Sequence, residues 1–309
     1  ASKSLEQGSL PSTVRAYRYD LMIFMRSVGD CDIESLKIFH IRKFIKDLGD
    51  KNYSKRGIAR KIACLKSFFR FCVINELVEV NIMDKIQNPK TRAENILPKY
   101  LEEKEVSDFL NFVEKGENLG IKNGERLYPI VRLMYSVMAR VSEICNLSIK
   151  DVNFDAQTIL LYGKGGKQRV VPFDETTRDV LFNMIFNRIL EDSKYIPIIY
   201  NTPKEQLLLK YILENGDEPL FRSSTGSRMT SRLIQRDLKI VRENFTGSKK
   251  KITAHVFRHT GATHLRQNGM DLSELQDMLG HSSPSTTRIY AKNDITLLQK
   301  SYDGKHPLS

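Results

Sequence analysis

Two arginines, a lysine and two histidines of this chain are the residue types that bind a phosphate and offset the charge it gains during a displacement. They are Arg140, Lys164, His255, Arg258 and His281, and Tyr290 follows them closely. A tyrosine so placed can serve as the nucleophile. Because phosphodiesters hydrolyse extremely slowly, an enzyme acting on one must supply much of its barrier reduction as electrostatic stabilisation. These residues could do so without a metal ion.

The segment around residue 255 predicts a helix that presents two of these side chains together. Thr253 can cap this helix, so that His255 and Arg258 lie one turn apart on one face. His255 and His259 also have the i, i+4 spacing of HExxH zinc sites, but Val256 stands where the glutamate is required. We therefore expect no metal and no other cofactor, and a structural role for His259.

A glycine-rich turn carries the lysine. Residues 157–162 and 168–172 are predicted to form two strands, and the sequence GKGGK at 163–167 suits a tight hairpin between them. A phosphate-binding loop would need the GxxxxGK[ST] spacing and a helix directly afterwards, and this segment has neither. The lysine is better interpreted as a mobile cation that can reach a leaving oxygen. We assign that role to Lys164, with Lys167 as the competing candidate.

The third cluster of candidates follows a short helix near the C-terminus. Gly280 is expected to cap an amphipathic helix over residues 273–279, which places His281 at a chain reversal. A loop histidine is unremarkable by itself, but this one comes shortly before Tyr290. Tyr302 is the competing candidate for the nucleophile, and Tyr290 is preferred.

Composition limits the class of protein. The chain has 309 residues and a formal net charge of +12 at pH 7, which indicates a polyanionic partner, with nucleic acid ahead of an anionic membrane. No apolar run approaches the roughly 18 residues that span a bilayer, and no leader is visible, so we expect a cytoplasmic protein without membrane contact. Cysteines without paired spacing are expected to be small buried hydrophobic residues: Cys31, Cys64, Cys72 and Cys145.

Helical periodicity and one polar segment divide the chain into two predicted domains. Residues 87–99 are polar, contain two prolines and lack periodicity, which is typical of an interdomain linker. We place the domains at residues 1–88 and 99–309, joined by residues 89–98. Helices are predicted over 12–28 (with Ser12 and Thr13 as N-cap), 32–48, 54–75, from 103, over 127–138 and 141–147, and from 175. Residues 191–219 look irregular.

The third predicted helix has one apolar face and one entirely basic face. The apolar face consists of Ile58, Ile62, Leu65, Phe68, Phe69 and Cys72. The basic face consists of Lys55, Arg56, Arg60, Lys66 and Arg70. A solvated face usually mixes charges of both signs, whereas residues 51–70 contain no acid. Contact with DNA is therefore favoured over a merely solvated surface.

Taken together, these stretches resemble the tyrosine recombinase (phage integrase) family. The matching sequences are ARVSE at 139–143, GKGGKQR at 163–169, HVFRHT at 255–260, LGHS at 279–282 and TTRIY at 286–290. The resemblance covers residues 97–295 strongly, and the N-terminal part is more loosely similar to the core-binding domain of Xer-like and simple phage integrases. One departure is Met138, where the family often has a glycine, so the local backbone geometry is in question.

The resemblance implies a mainly α fold with a small antiparallel β-sheet in the C-terminal domain. A helical, SAM-like core-binding domain and a catalytic domain would form a C-shaped clamp on double-stranded DNA that carries specific recombination half-sites. The active assembly would be a homotetramer on synapsed DNA, or a heteromer with a paralogue.

The resemblance also implies a mechanism that needs neither metal nor ATP. Tyr290 would attack a phosphodiester and form a 3′-phosphotyrosyl link with release of a 5′-hydroxyl. Arg140 and Arg258 would bind the non-bridging oxygens, and Lys164 would protonate the departing 5′-oxygen. His255 would accept or orient the tyrosine proton, and His281 would donate a hydrogen bond to the phosphate.

Two alternative functions use some of the same residues. A type IB topoisomerase has a similar catalytic set, but the small basic helical domain favours a recombinase. A non-catalytic DNA-binding regulator would need the basic helix and would leave the phosphate-binding residues without purpose. Integration or excision of a mobile element and resolution of DNA dimers both stay open as the biological task.

Overall fold

The computed structural model describes residues 11–89, 100–117, 119–121, 124–163 and 166–280. The chain divides into two compact units, Ala1–Ile96 and Leu97–Ser309. Lys164, His281 and Tyr290 lie outside the described residues. Of the helices that are described, none combines the length and the apolar character that crossing a membrane requires.

Three helices and two 3-10 turns are described in the first unit. The helices are α1 (Pro11–Val28), α2 (Ile38–Asp50) and α3 (Lys55–Ile74), and the turns are Ile33–Ser35 and Ile82–Lys85. The prediction for α1 was nearly right, although the helix begins at Pro11, so that Ser12 and Thr13 lie inside it. The predicted helix over 32–48 was wrong at its start, because a 3-10 turn and a break precede α2.

Helix α3 confirms the predicted division into two faces. Ser54 is its N-cap, and its hydroxyl accepts a hydrogen bond from the Gly57 N–H at 3.1 Å. The apolar side packs in the core of the first unit, which consists of Phe24, Ile41, Phe44, Leu48, Ile58, Ile62, Leu65, Phe69, Met83 and Ile86. The hydrophobic face of this helix therefore anchors it on α1 and α2 and leaves the opposite side to solvent.

Nine helices and three strands are described in the second unit. The helices are α4 (Glu103–Lys115), α5 (Leu127–Ser136), α6 (Val141–Asn146), α7 (Glu175–Glu191), α8 (Ile196–Ile199), α9 (Lys204–Asn215), α10 (Ser231–Asn244), α11 (Ala254–Gln267) and α12 (Leu272–Leu279). The predicted starts of α4, α5, α6 and α7 are confirmed. The expectation of an irregular segment over 191–219 was wrong, because α8 and α9 lie within it. Leu207 and Leu208 are buried there, so α9 packs through a short apolar stripe.

The strands form one small antiparallel sheet. β1 (Val152–Asn153), β2 (Thr158–Tyr162) and β3 (Gln168–Pro172) lie in the order β1–β2–β3. Leu161 is paired with Arg169, and Tyr162 with Gln168, directly before the turn. The predicted hairpin and the predicted fold class, mainly α with a small antiparallel sheet, are confirmed.

Helix α11 packs against α5 at a glycine. A Cβ on Gly261 would lie 2.5 Å from the Tyr135 carbonyl oxygen and 2.9 Å from Cγ of Met138. Such distances are shorter than a methyl group tolerates, so only glycine permits this close approach. The contact fixes α11, which carries two of the candidate site residues, against the end of α5.

Three of the four cysteines are buried as predicted, and one is not. Cys64, Cys72 and Cys145 are buried, whereas Cys31 is exposed in the segment after α1. The expectation for Cys31 was wrong because α1 ends at Val28, so no helical face carries this residue into the core.

Candidate active site

Helix α11 presents His255 and Arg258 in its first turns. The Thr253 hydroxyl accepts a hydrogen bond from the Val256 N–H at 3.3 Å, which confirms the predicted cap. His255 is exposed, whereas Arg258 is 4% exposed. The Arg258 guanidinium donates to the main-chain carbonyls of Met138 (2.5 Å) and Leu279 (2.6 Å). Arg258 is therefore held from two sides by backbone of α12 and of the turn before α6.

Arg140 is the N-cap residue directly before α6, and Glu143 of this helix binds it. Its backbone N–H donates to Oε2 of Glu143 at 2.7 Å, and its Nη1 donates to Oε1 at 2.8 Å. The Arg140 side chain keeps 39% of its surface exposed. One edge of this guanidinium is thus fixed by the protein, while the rest is accessible to an anion from solvent.

Glu143 is a buried carboxylate shared by three arginines. In addition to the Arg140 contacts, Nη1 and Nη2 of Arg169 donate to its two oxygens at 3.0 and 2.7 Å, and Nη1 of Arg258 lies 3.8 Å away. Burial alone would raise the pKa of Glu143, but the hydrogen bonds from Arg169 and Arg140 outweigh it and hold the pKa below its ordinary value. One negative charge faces three positive charges, so a surplus of positive charge remains for a bound anion.

The sequence analysis left the backbone geometry at Met138 in question, because the related family often has a glycine at this position. Met138 has φ +50°, in the left-handed region that glycine adopts most easily. A non-glycine residue there costs roughly 1–2 kcal/mol. The Met138 side chain is fully buried with Ala262, Leu275 and Leu279, and its carbonyl binds Arg258. The backbone geometry is therefore present despite the methionine, and packing of its side chain helps to offset the strain.

Of two further histidines of α11, His264 is buried and His259 is half-buried. Burial, followed by the charge of His255, lowers the pKa of His259 to about 4. His264 contacts the Leu101 carbonyl oxygen through Nε2 (2.9 Å) and the Tyr135 hydroxyl through Nδ1 (2.8 Å). His264 thereby connects α11 to α5 and to Leu101, which precedes α4 in the second unit. Among the residues that the structure describes, no group of three or more His, Cys, Asp or Glu side chains could hold a metal ion.

Arg140, His255 and Arg258 are the predicted catalytic residues within the described part of the chain, and two of them, Arg140 and Arg258, meet at Glu143. Lys164 and His281 lie outside it, but each has a described neighbour in sequence. A Cβ on Gly163 would lie 3.6 Å from Nη1 of Arg169, and a Cβ on Gly280 would lie 3.2 Å from the same atom. Gly280 has φ +60° and ends α12, as predicted.

Glu143 and Arg169 are site residues to which the sequence assigned no role, although both lie in the matching motifs. The spacing from residue 140 to Glu143 is that of a helix-capping glutamate, which was the available signal. No local pattern indicates that Arg169 would reach it, because 26 residues separate the two in the chain.

A cleft next to His255 is lined by two cations, Lys239 and Arg242, to which the sequence analysis assigned no role. Its volume is about 310 Å³, and it is lined by Gln235, Leu238, Lys239, Arg242, Ile252, Thr253, Ala254 and His255. Lys239 is exposed on α10, together with Arg232 and Arg236. The exposed side of α10 therefore continues the positive surface beyond the arginine pair.

The basic face of α3 is exposed, but one of its members is paired. Lys55, Arg56 and Arg70 are exposed, and Lys66 is partly buried. Nη1 of Arg60 lies 2.6 Å from Oδ2 of Asp20, and the buried Lys61 lies 2.6 Å from Oδ1 of the same carboxylate. The face lacks acids in its own sequence, yet α1 supplies one to Arg60.

Comparison with known proteins extends over both units. The profile of the phage integrase family matches residues 99–296, and that of the phage integrase N-terminal SAM-like domain matches residues 4–75. The chain is 33% identical to tyrosine recombinase XerC of Thermodesulfovibrio yellowstonii over 305 residues, which cover 99% of this chain and 93% of the relative.

Solved structures of DNA complexes share the fold. The Tn1549 transposon integrase bound to transposon right end DNA has a TM-score of 0.70 at 20% identity, with 98% of this chain and 97% of that chain covered. A lambda integrase tetramer bound to a Holliday junction has a TM-score of 0.62 at 15% identity, with 90% and 74% covered.

Proposed function

The chain belongs to the phage integrase family and is a site-specific tyrosine recombinase that cuts and rejoins DNA strands, and we propose that it does so through a 3′-phosphotyrosyl intermediate on Tyr290. The phenolate oxygen attacks the phosphorus, and the bond to the 5′-oxygen breaks. The covalent link conserves the energy of the phosphodiester, so rejoining by the 5′-hydroxyl needs no ATP. The topoisomerase and regulator alternatives are not favoured by the family to which the chain belongs.

The observation that carries this proposal is the arrangement of Arg140 and Arg258 on the Glu143 carboxylate. Phosphoryl transfer develops charge on the non-bridging oxygens, and preorganised guanidinium groups stabilise that charge without reorganisation. Arg258 is fixed by two carbonyls and Arg140 by Glu143, so both groups are oriented before substrate binds. Such orientation favours the transition state over the bound ground state.

The remaining roles follow from the matching motifs. Lys164 protonates the departing 5′-oxygen, His255 accepts or orients the Tyr290 proton, and His281 donates a hydrogen bond to the phosphate. The exposure of His255 beside a cationic cleft supports a position at the DNA surface. No metal ion takes part in this scheme.

Two basic surfaces support duplex DNA as the substrate. One is the exposed face of α3 with Lys55, Arg56, Lys66 and Arg70, in a core-binding domain that we assign to residues 1–88. The other is the exposed side of α10, in a catalytic domain that we assign to residues 99–309, with residues 89–98 as the linker. We further propose that a homotetramer, or a heteromer with a paralogue, binds paired half-sites, and the lambda integrase tetramer bound to a Holliday junction supports the tetrameric assembly. The bacterial relative supports a cytoplasmic location.

Trapping of the covalent adduct tests this function. The protein is mixed with fragmented genomic DNA of its source, adducts that survive SDS are collected, and the attached DNA is sequenced to define the site. The wild type should form adducts with a recurring sequence. Tyr290→Phe should bind the recovered site and form none, whereas the matched control Tyr302→Phe should still form them. An SDS-stable adduct with Tyr290→Phe would refute the assignment.

A further inference from the structure

Arg169 joins three parts of the catalytic unit that are distant in sequence. It lies on β3, its Nε donates to the Met278 carbonyl oxygen near the end of α12 at 2.8 Å, and its two Nη atoms bind Glu143 at the start of α6. The side chain is 11% exposed. A planar guanidinium can make these three bonds at once because its donors form a rigid fork. Arg169 is therefore held in place by Glu143 and by the Met278 carbonyl, and it links β3 to α6 and α12.

Arg169 also completes the hydrogen bonding of Glu143. A carboxylate offers about four lone-pair sites. Oε1 accepts from Nη1 of Arg140 and Nη1 of Arg169, and Oε2 accepts from the Arg140 backbone N–H and Nη2 of Arg169. These four bonds fill the carboxylate. Arg258 is left at 3.8 Å, beyond hydrogen-bond distance, and donates instead to the two carbonyls.

We infer that Arg169 is a positioning residue for strand cleavage: by saturating Glu143, it keeps this carboxylate from pairing more closely with Arg140 and Arg258. Without Arg169, two acceptor sites of a buried anion would open beside two guanidinium groups. In the described part of the chain, Arg140 and Arg258 are the other cations within 4 Å of Glu143, so the carboxylate would draw them into closer pairs. Part of the positive charge that the transition state needs would then be neutralised inside the protein. This inference rests on the proposed function.

The test separates a role in charge stabilisation from a role in folding alone. Single-turnover formation of the covalent adduct is measured at saturating DNA on two nicked duplexes with the recovered site. One duplex has the ordinary phosphodiester, and the other has a methylphosphonate at the cleaved position. The methylphosphonate lacks one non-bridging oxygen and its charge, so it depends less on the arginine pair.

For Arg169→Met we expect the rate on the phosphodiester to fall by roughly 100-fold, the loss typical of misplaced catalytic groups. The fall on the methylphosphonate should be several-fold smaller, and the Kd for DNA should change little. Arg169→Lys should lie between the wild type and Arg169→Met, because a lysine retains the charge but loses the fork. If Arg169→Met does not fold, the rates of Arg169→Lys on the two duplexes provide the test instead.

The matched control is Arg188→Met. Arg188 is a half-buried arginine of α7 that donates to the carbonyls of Pro219 and Leu220, and neither of these bonds involves Glu143. Its loss should affect both duplexes by the same factor. An equal factor for the Arg169 variants, or no loss of rate, would overturn the inference. If the wild type formed no adduct on either duplex, the proposed function itself would fail.

Discussion

Arg258 donates a hydrogen bond to the carbonyl of Met138, a residue held in the left-handed region. The bond joins α11 to the turn that ends two residues later at Arg140. Arg140 and Arg258, the two arginines proposed to bind the phosphate, are therefore both positioned next to the contact between α11 and the end of α5. Gly261 lies in the same contact.

Substitution of Gly261 by alanine should separate these helices. The added methyl group would overlap the Tyr135 carbonyl oxygen, so we expect a loss of about 1–3 kcal/mol in the free energy of unfolding, as for other overpacked sites. Cleavage should fall as well, because α11 carries His255 and Arg258. Chemical denaturation measures the first effect and adduct formation the second.

Gly49→Ala is the matched control for that experiment. Gly49 lies inside α2, and a Cβ there would meet no atom within 4 Å. Alanine should stabilise this helix by about 0.5–1 kcal/mol, since it restricts the unfolded chain and favours the helix. Destabilisation by both substitutions would mean that the contact at Gly261 is not the cause.

Replacement of Arg258 should lower cleavage far more than binding. Its charge acts mainly in the transition state, and we expect the cleavage rate of Arg258→Ala to fall by about 10²–10³. Arg258→Lys serves as a second variant, since alanine also leaves two carbonyls without their donor. Adduct formation and equilibrium DNA binding are compared on the same duplex. A parallel loss of both would indicate a plain DNA contact.

The salt dependence of DNA binding should distinguish two neighbouring arginines of α3. Arg56→Ala should reduce the slope of log K against log salt by about 1, as expected for one lost phosphate contact. Arg60→Ala should reduce it by less, because Asp20 already offsets part of that charge. Binding is measured at a series of salt concentrations. Equal slopes for the wild type and Arg56→Ala would exclude the proposed contact between this helix and the phosphates.

Stability should fall as the pH decreases from about 7 to about 4.5, and His259 should contribute to the fall. The pKa of His259 is about 4 in the folded protein against 6.5 in the unfolded chain. Protons therefore bind the unfolded state first in this window, and stability decreases as pH falls. The contribution should be about 1–2 kcal/mol, since the ring is not fully buried.

Thermal melts at constant ionic strength measure this dependence. His259→Gln should flatten the curve between pH 6.5 and 4.5, even if it lowers the melting temperature at every pH. An unchanged slope would show that other groups control the acid sensitivity.

Local sequence patterns were sufficient for most of the described helices and strands and for the residue types of the site, and the family resemblance supplied the fold class. The periodicity of residues 54–75 was sufficient for α3, and Thr253 and Gly280 were sufficient for two helix ends, because these features depend on neighbouring residues. The helices at 196–199 and 204–215 were missed because their apolar stripes are short.

Which charges are paired depends on tertiary packing. Asp20 reaches Arg60 and Lys61 across 40 and 41 residues, and Arg169 reaches Glu143 across 26. No local pattern encodes such pairs, since they depend on how α1 packs on α3 and how β3 packs beside α6. Electrostatic energy depends on distance in space and on burial, and chain folding sets both. The phosphate-binding residue types can therefore be identified from the sequence, but the contacts of Glu143 with Arg169 and Arg258 cannot.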